Sequence, residues 1–366
     1  MQHPPSPESL EPPRPDTINK PVDYVGNTYL HALCRAGQPA SRVIDAIQKF
    51  GAQVNAVNND GYSPLRYAIE FGTAETVDAL MKHGAQPVYK IGNKQFNAVT
   101  AAIHRGRADT LVAVLQGGGA AHLNAPGLDH RGDADQTPPV SLAVQKHHYD
   151  MIMPLVQAGA SPNRTAPGTG YTPLIQAAAL DAGRVLHALV RAGADLNGRG
   201  SNGQTALHHA ADNQHRREAL EVLISLGADL EARDGQGRTP LMISVEAGYH
   251  RAAERLLQAG ANPDARNEKQ NGETALMIAA RKGHADCAEL LLKAKANPLL
   301  TDAFNRTAAK ISQDSPDANR AHYDPIMGHS APQPKTMLAE AEKIATAKVF
   351  EKQYREQKNK NKKNGP

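Results

Sequence analysis

No run in this 366-residue chain approaches the roughly 18 consecutive apolar residues that a membrane-spanning helix needs. The opening stretch, MQHPPSPESLEPPRPD, has no apolar core, so it is not expected to act as a secretory signal. Cysteine is scarce: Cys34 and Cys287 are the two thiols, which points to a reducing compartment and a cytoplasmic address. Both lie in helical, largely apolar stretches and read as small core residues. No CxxC, no Walker loop and no nucleophile–base pair is present, so no catalytic residue, cofactor or metal is expected. Tryptophan is absent and aromatics make up 4% of the chain.

What the chain has instead is repetition. GYSPLRYAIEFG (61–72), GYTPLIQAAALDAG (170–183), NGQTALHHAADNQH (202–215), GRTPLMISVEAG (237–248) and NGETALMIAARKG (271–283) are variants of one phrase. Weaker copies are GNTYLHALCRAG (26–37), FNAVTAAIHRG (96–106) and PPVSLAVQKHH (138–148). Aligned on one apolar anchor, they place Leu30, Leu65, Val99, Val140, Leu174, Leu207, Leu241 and Leu276 at gaps of 35, 34, 41, 34, 33, 34 and 35 residues. A self-similar period near 33 means units that bury their apolar faces only against their neighbours.

Each copy predicts two short helices and a turn. In SPL (63–65) and in TPL (172–174 and 239–241) the hydroxyl residue is placed to cap a helix, and proline follows at the first helical position. Glycine ends the first helix at Gly72, Gly106, Gly248 and Gly283. The second helix ends at a Gly-Ala turn, as in Gly84-Ala85 and Gly260-Ala261, and an Asn/Asp/Gly stretch follows.

This phrase, with its TPLHxAA, GH and GAD elements, closely resembles the ankyrin repeat over residues 25–312. The resemblance implies an all-α repeat solenoid of helix-turn-helix units with β-hairpin fingers, about eight repeats and a truncated cap at 302–312. It also implies a concave face that binds partner proteins. The chain departs from the pattern at His147 and Asp181, which stand where glycine is usual.

Several segments lie outside the repeats. Residues 1–24 hold seven of the 25 prolines and read as a disordered N-terminus; PPSP and PPRP formally match a PxxP ligand. The 41-residue gap contains an insertion near 117–139, of a length that is functional or disordered more often than structural. It is expected to project from the edge of the stack. Residues 313–334 read as a linker, and 335–366 as a basic helical tail. From Lys335 on there are nine Lys/Arg and four Glu, a net of +5 out of the chain's +4, leaving −1 for the rest. The repeat body therefore gives no sign of a nucleic-acid surface, while the tail offers weak contact with anionic surfaces. Its helix is expected either to dock on the last repeat or to bind a partner.

Some motifs mislead. GRGSNG (198–203) matches the dinucleotide fingerprint G-x-G-x-x-G but precedes TALHH, in the finger position, and follows no buried strand. His208, His209, Asp212 and His215 suggest a metal cluster on paper. His208 instead occupies the TPLH histidine slot, which the resemblance implies ties neighbouring repeats by hydrogen bonds, with His209 facing the concave side. The acidic insertion residues and the RGD triplet (131–133) have no supporting context.

The resulting expectation is a non-enzymatic protein-binding scaffold. The alternative is an adaptor or secreted bacterial effector whose tail supplies address or activity. The family's contact slots fall on Asn59, Asp60, Tyr62, Glu70 and Phe71, then on Phe96, His104 and Arg105. Further along they fall on Gln145, Lys146, Tyr171 and Leu180, and on Ser201, Asn202, Gln204, Asp212 and Asn213. The last are Gln236, Arg238, Glu246, Glu273, Arg281 and Lys282. Tyr62, Phe71, Tyr171 and Leu180 are the expected anchors, since an exposed aromatic or aliphatic group can fill a pocket on a partner.

Overall fold

The computed structural model describes residues 14–91, 94–125, 127–128, 134–213, 215–315, 334–346 and 349. The chain divides into two compact units, Met1–Pro173 with Ala188–Ala194, and Leu174–His187 with Asp195–Pro366.

Unit 1 is built from helix pairs: α1 (Tyr29–Arg35) with α2 (Ala40–Gln48), and α3 (Pro64–Phe71) with α4 (Ala74–Lys82). Then come α5 (Ala98–Arg105) with α6 (Ala108–Gln116), and α7 (Pro139–Gln145) with α8 (Ile152–Gln157). The fifth pair along the chain is α9 (Pro173–Ala179) and α10 (Gly183–Arg191). Unit 2 continues with α11 (Ala206–Ala211) and α12 (Arg217–Ser225), α13 (Pro240–Glu246) and α14 (His250–Gln258), and α15 (Ala275–Lys282) and α16 (Ala285–Lys293). It ends in the single helix α17 (Ala308–Asp314) and a helix α18 at 334–346. Within each unit first helices pack on first helices, α1 to α3 to α5 to α7 and α11 to α13 to α15 to α17. Second helices do the same, α2 to α4 to α6 and α12 to α14 to α16.

The local signals act as the sequence predicts. Ser63 Oγ accepts the Arg66 N–H and Thr239 Oγ1 accepts the Met242 N–H, with proline next in both helices. Each such cap contributes about 1 kcal/mol. All eight anchors are buried to 1% exposure or less, and full burial of such a side chain stabilises by roughly 1.5–3 kcal/mol. The first helix ends in a left-handed residue at Gly106, Gly248 and Gly283, and His147 (φ 62°) and Asp181 (φ 54°) take the same conformation without glycine's freedom. Asp181 gains a use in exchange: its Oδ1 accepts the Ala219 N–H at 2.7 Å, capping α12 one repeat on.

Polar ladders join successive repeats at the Gly-Ala turns. Asn19 donates to Gly51 O and accepts from Gln53 N–H; Asn55 repeats this with Gly84 O and Gln86 N–H. In unit 2 Asn197, Glu231 and Asp264 accept from Asp229, Asn262 and Asn297 N–H. Arg199, Arg233 and Arg266, one repeat apart, donate to the carbonyls of Arg233, Arg266 and Thr301. Such bonds each contribute about 1 kcal/mol net.

Three expectations change. The packed array begins before residue 25, because Ile18 is buried and Asn19 is the first rung of the ladder; residues 1–13, with PPSP and the first half of PPRP, lie outside the described residues. Fingers are mostly tight turns closed by two bonds, such as Asn58 N–H to Tyr62 O with Gly61 N–H to Asn58 O, and Asp234 N–H to Arg238 O with Gly237 N–H to Asp234 O, because so few residues intervene. Among the described residues a paired hairpin forms at β1 (Val88–Ile91) with β2 (Lys94–Asn97), and a second within the insertion at β3 (Gly127–Leu128) with β4 (Ala134–Asp135). The described part of the insertion packs back rather than projecting. Strand β3 lies beside β2 and α5, with Gly127 so near that an added Cβ would sit 2.5 Å from Thr100. The RGD triplet lies outside the described residues.

At the C-terminal end Leu338 of α18 is fully buried, and Met337, Ala341 and Ile344 share a groove with Leu292 of α16. The helix thus packs within unit 2, beside the last complete pair. Of the expected linker 313–334, residues 313 and 314 belong to α17 and 334 to α18, and 316–333 lie outside the described residues, as does the basic end of the tail.

Candidate functional site

In unit 1 the exposed ends of the first helices carry a cluster centred on α3. Periodicity buries Leu65, Ala68 and Ile69 and turns Arg66, Glu70 and Phe71 outward or sideways. Phe71 is 52% exposed, an unusual position for so large an apolar group. One of its faces stacks on Tyr67, at 6.2 Å between centroids and 30° between planes; Tyr67 in turn meets Tyr62 at 5.7 Å. The Arg66 guanidinium lies 3.6 Å from the centre of the Tyr62 ring, a cation–π contact. Glu70 is shared between Arg66 (3.6 Å) and Arg105 (3.2 Å). Asn59 and Asp60 are exposed at the neighbouring finger, where the Asn59 N–H is spent on Val25 O.

The other slots of unit 1 are less uniform. Phe96 is 2% exposed and packs against Tyr89 at 4.9 Å between centroids, because strand β2 turns it into the hairpin. It belongs to the core, not to a surface. The His104 side chain is 7% exposed, with Nε2 2.9 Å from Asp135 Oδ2 of the insertion, so chain that lies 31 residues away covers this slot. Burial pushes the Asp135 carboxyl up, but hydrogen bonds from His104 and Thr137 outweigh it and bring it down to about 2. Arg105 and Gln145 are exposed, and Lys146 and Tyr171 are half-buried.

In unit 2 the corresponding slots are largely consumed by one another. Arg238 bonds Asp234 and Glu246, each at 2.9 Å, and Lys282 lies 3.9 Å from the same Glu246. Arg281 binds Glu273 through two bonds, at 3.2 and 3.0 Å, and Glu273 is buried rather than presented. Burial raises the Asp212 carboxyl and Glu246 raises it further, against Arg216 and Arg238. Leu180, Ser201, Asn202, Asp212 and Gln236 are exposed; Gln204 and Asn213 are half-buried.

The histidines resolve clearly. His208 spans two repeats: Thr205 N–H donates to Nδ1, and Nε2 reaches Arg238 O at 3.0 Å. His31 does the same with Thr28 and Tyr62 O, at 2.8 Å, from the equivalent place in TYLHAL. His209 is buried rather than presented at the surface, and burial, with Arg216 and His208 nearby, lowers it to about 4. Among the described residues no group of three or more His, Cys, Asp or Glu is arranged to hold a metal. GRGSNG forms a finger turn, with Gly203 N–H bonded to Gly200 O and Gly200 N–H to Gln204 O. Both thiols are buried; burial drives Cys34 far above its usual range and, with Asp286, Cys287 up to about 12. No described helix is long and apolar enough to cross a membrane.

Sequence reasoning singled out neither Tyr67 nor Arg66, and named Asp135 only among the acidic residues of the insertion, not as a partner of His104. The first two stand inside SPLRYAIEF and are findable as an aromatic and a cation flanking the anchor; Asp135 carries no local signal.

Comparison with known proteins agrees with this architecture. A family model described as ankyrin repeats (3 copies) matches residues 9–91, 140–234 and 218–302. An ankyrin repeat-containing protein of Treponema pallidum (strain Nichols) is 43% identical over 75 residues, which are 20% of this chain and 25% of that protein. The chain thus spans about a quarter of the length of this curated relative. The crystal structure of the ankyrin repeat domain of Bcl-3, a unique member of the IkappaB protein family, superposes with a TM-score of 0.53 at 27% identity, over 61% of this chain and 95% of that domain. With repeated helix pairs, histidine ties between neighbours and a family match over most of its length, the chain belongs to the ankyrin repeat family.

Proposed function

We propose that this protein is a non-catalytic scaffold of the cytoplasm that binds a partner protein through the open ends of its first helices and fingers. Ankyrin repeats generally mediate protein–protein interaction. The observation that carries the reading here is Phe71: on a helix whose anchor Leu65 is 1% exposed, this aromatic is 52% exposed and already braced by Tyr67. A rigid, half-desolvated aromatic costs little entropy to bury against a partner. The reading is tested by a Tyr62/Phe71/Tyr171/Leu180 quadruple alanine variant beside a Lys360/Lys362/Lys363 triple glutamine variant, each used as bait for affinity capture with mass spectrometry. The quadruple variant is expected to keep its circular dichroism and lose its main partner, and the lysine variant to keep that partner. The opposite pattern assigns binding to the tail.

That opposite pattern belongs to the adaptor or effector reading, in which the repeats select a target and residues 335–366 deliver it. The buried Leu338 supports a packing role for the start of this segment. Deleting 335–366 separates the two: an unchanged partner list with unchanged cellular distribution supports the scaffold.

A further inference from the structure

The first-helix rows of the two units differ in how their cations are paired. In unit 2 the cations Arg238, Arg281 and Lys282 each face a carboxylate, from Asp234 and Glu246, from Glu273, and from Glu246 again. In unit 1 the C-terminal helix ends carry Arg35 on α1, Arg105 on α5 and Lys146 just after α7, while Arg66, in the first turn of α3, pairs with Glu70 in its last turn. Among the described residues the carboxylates that ion-pair along this row are Glu70 from α3 and Asp135 from the insertion. Glu70 divides itself between two arginines, and Asp135 is held by His104. With Arg66 the row carries four cations, against Glu70, Asp135 and the exposed Asp60 of the neighbouring finger. Arg105 keeps 44% of its side chain exposed despite its ion pair, and Arg35 is exposed at its helix end. Phe71 lies on the helix between those of Arg35 and Arg105, its outer face open.

From this we infer that the α1–α3–α5–α7 row of unit 1 takes an acidic peptide segment that also carries a large apolar side chain. The inference rests on the protein-binding reading above. The apolar side chain of the ligand covers Phe71, and flanking carboxylates meet Arg105, Arg35 and Lys146. Charge-assisted hydrogen bonds from arginine to carboxylate are the strong kind, and a partly desolvated aromatic floor strengthens them further. A nucleic acid fits less well, because Glu70 and Asp135 stand inside the row and repel a continuous phosphate backbone.

Fluorescence anisotropy on the full chain tests this with three labelled probes. The first is a short peptide alternating Glu and Leu around a central Phe; the second has every Glu replaced by Gln; the third is an oligothymidylate. The Glu peptide is expected to bind at least about tenfold more tightly than the Gln peptide and to weaken with salt. Phe71→Ser and Arg105→Gln are each expected to weaken it about fivefold or more. Lys282→Gln, the position equivalent to Arg105 in unit 2, is expected to leave it within about twofold. Circular dichroism confirms that each variant is folded. Equal binding of the Glu and Gln peptides, tighter binding of the oligothymidylate, or equal losses from Lys282→Gln and Arg105→Gln would each overturn the assignment. If the peptides fail while the quadruple alanine variant still loses its captured partner, the partner-binding reading stands and only this ligand class falls.

Discussion

His208 Nε2 lies 3.0 Å from the backbone carbonyl oxygen of Arg238, the residue that opens the next helix cap. Because the Thr205 N–H donates to Nδ1, the proton sits on Nε2 and the bridge requires a neutral ring. Burial lowers the pKa of His208 and of His31 against the opposing pull of their carbonyl partners, and it takes His209 to about 4. All three thus lie below the usual histidine value near 6.5.

The sign of the resulting pH dependence follows. Below about pH 6.5 the unfolded chain binds protons that these folded histidines refuse, so stability is full above that value and falls as pH drops toward 4. His209 alone accounts for a loss on the order of 3 kcal/mol across the window. Urea midpoints at pH 7.5 and pH 5 are expected to differ accordingly, with a smaller difference in His209→Gln. Equal midpoints in the parent protein would mean that these rings are not held neutral.

Asp181 combines a left-handed backbone with a cap on α12. Asp181→Asn keeps both the conformational tolerance and an acceptor oxygen, and is expected to cost less than about 1 kcal/mol. Asp181→Ala loses both and is expected to cost roughly 2 kcal/mol or more. Chemical denaturation of the two variants checks the order; reversal of that order would remove the capping role.

Leu241 is a buried anchor on α13, which packs between α11 and α15. Leu241→Ala is expected to cost roughly 2–5 kcal/mol. Hydrogen exchange is expected to rise most in α11 to α16 and least in α1 to α4, since repeat arrays couple through neighbours. A uniform rise throughout the chain would indicate a single all-or-none core.

The Asp135 contact with His104 pins the insertion to α5. Its carboxyl is depressed to about 2, so the stabilisation is present above the ordinary carboxylate range and is lost as pH falls through 2. At neutral pH the informative change is Asp135→Ala. Limited proteolysis within 117–139 is expected to accelerate several-fold in this variant, while cleavage inside 205–300 stays unchanged. No change in the insertion would show that other contacts hold it.

The repeat period, the helix starts at Ser63 and Thr239, the stops at Gly106, Gly248 and Gly283, and the anchors from Leu30 to Leu276 were all legible in the amino-acid order. Each of these acts within one repeat, through a cap, a ring or a positive φ, so a single copy carries the whole instruction. His208 was legible for a related reason, because its partner lies one period away and the period is written in the chain. Which contact slots remain open was not legible. Phe96 is buried because β2 turns it inward, Glu273 because the Arg281 guanidinium folds back on it, and His104 because Asp135 reaches it from the insertion. Accessibility depends on what a neighbouring segment does with its side chains. Asp135 lies outside the repeating phrase, so only the folded chain brings it to His104.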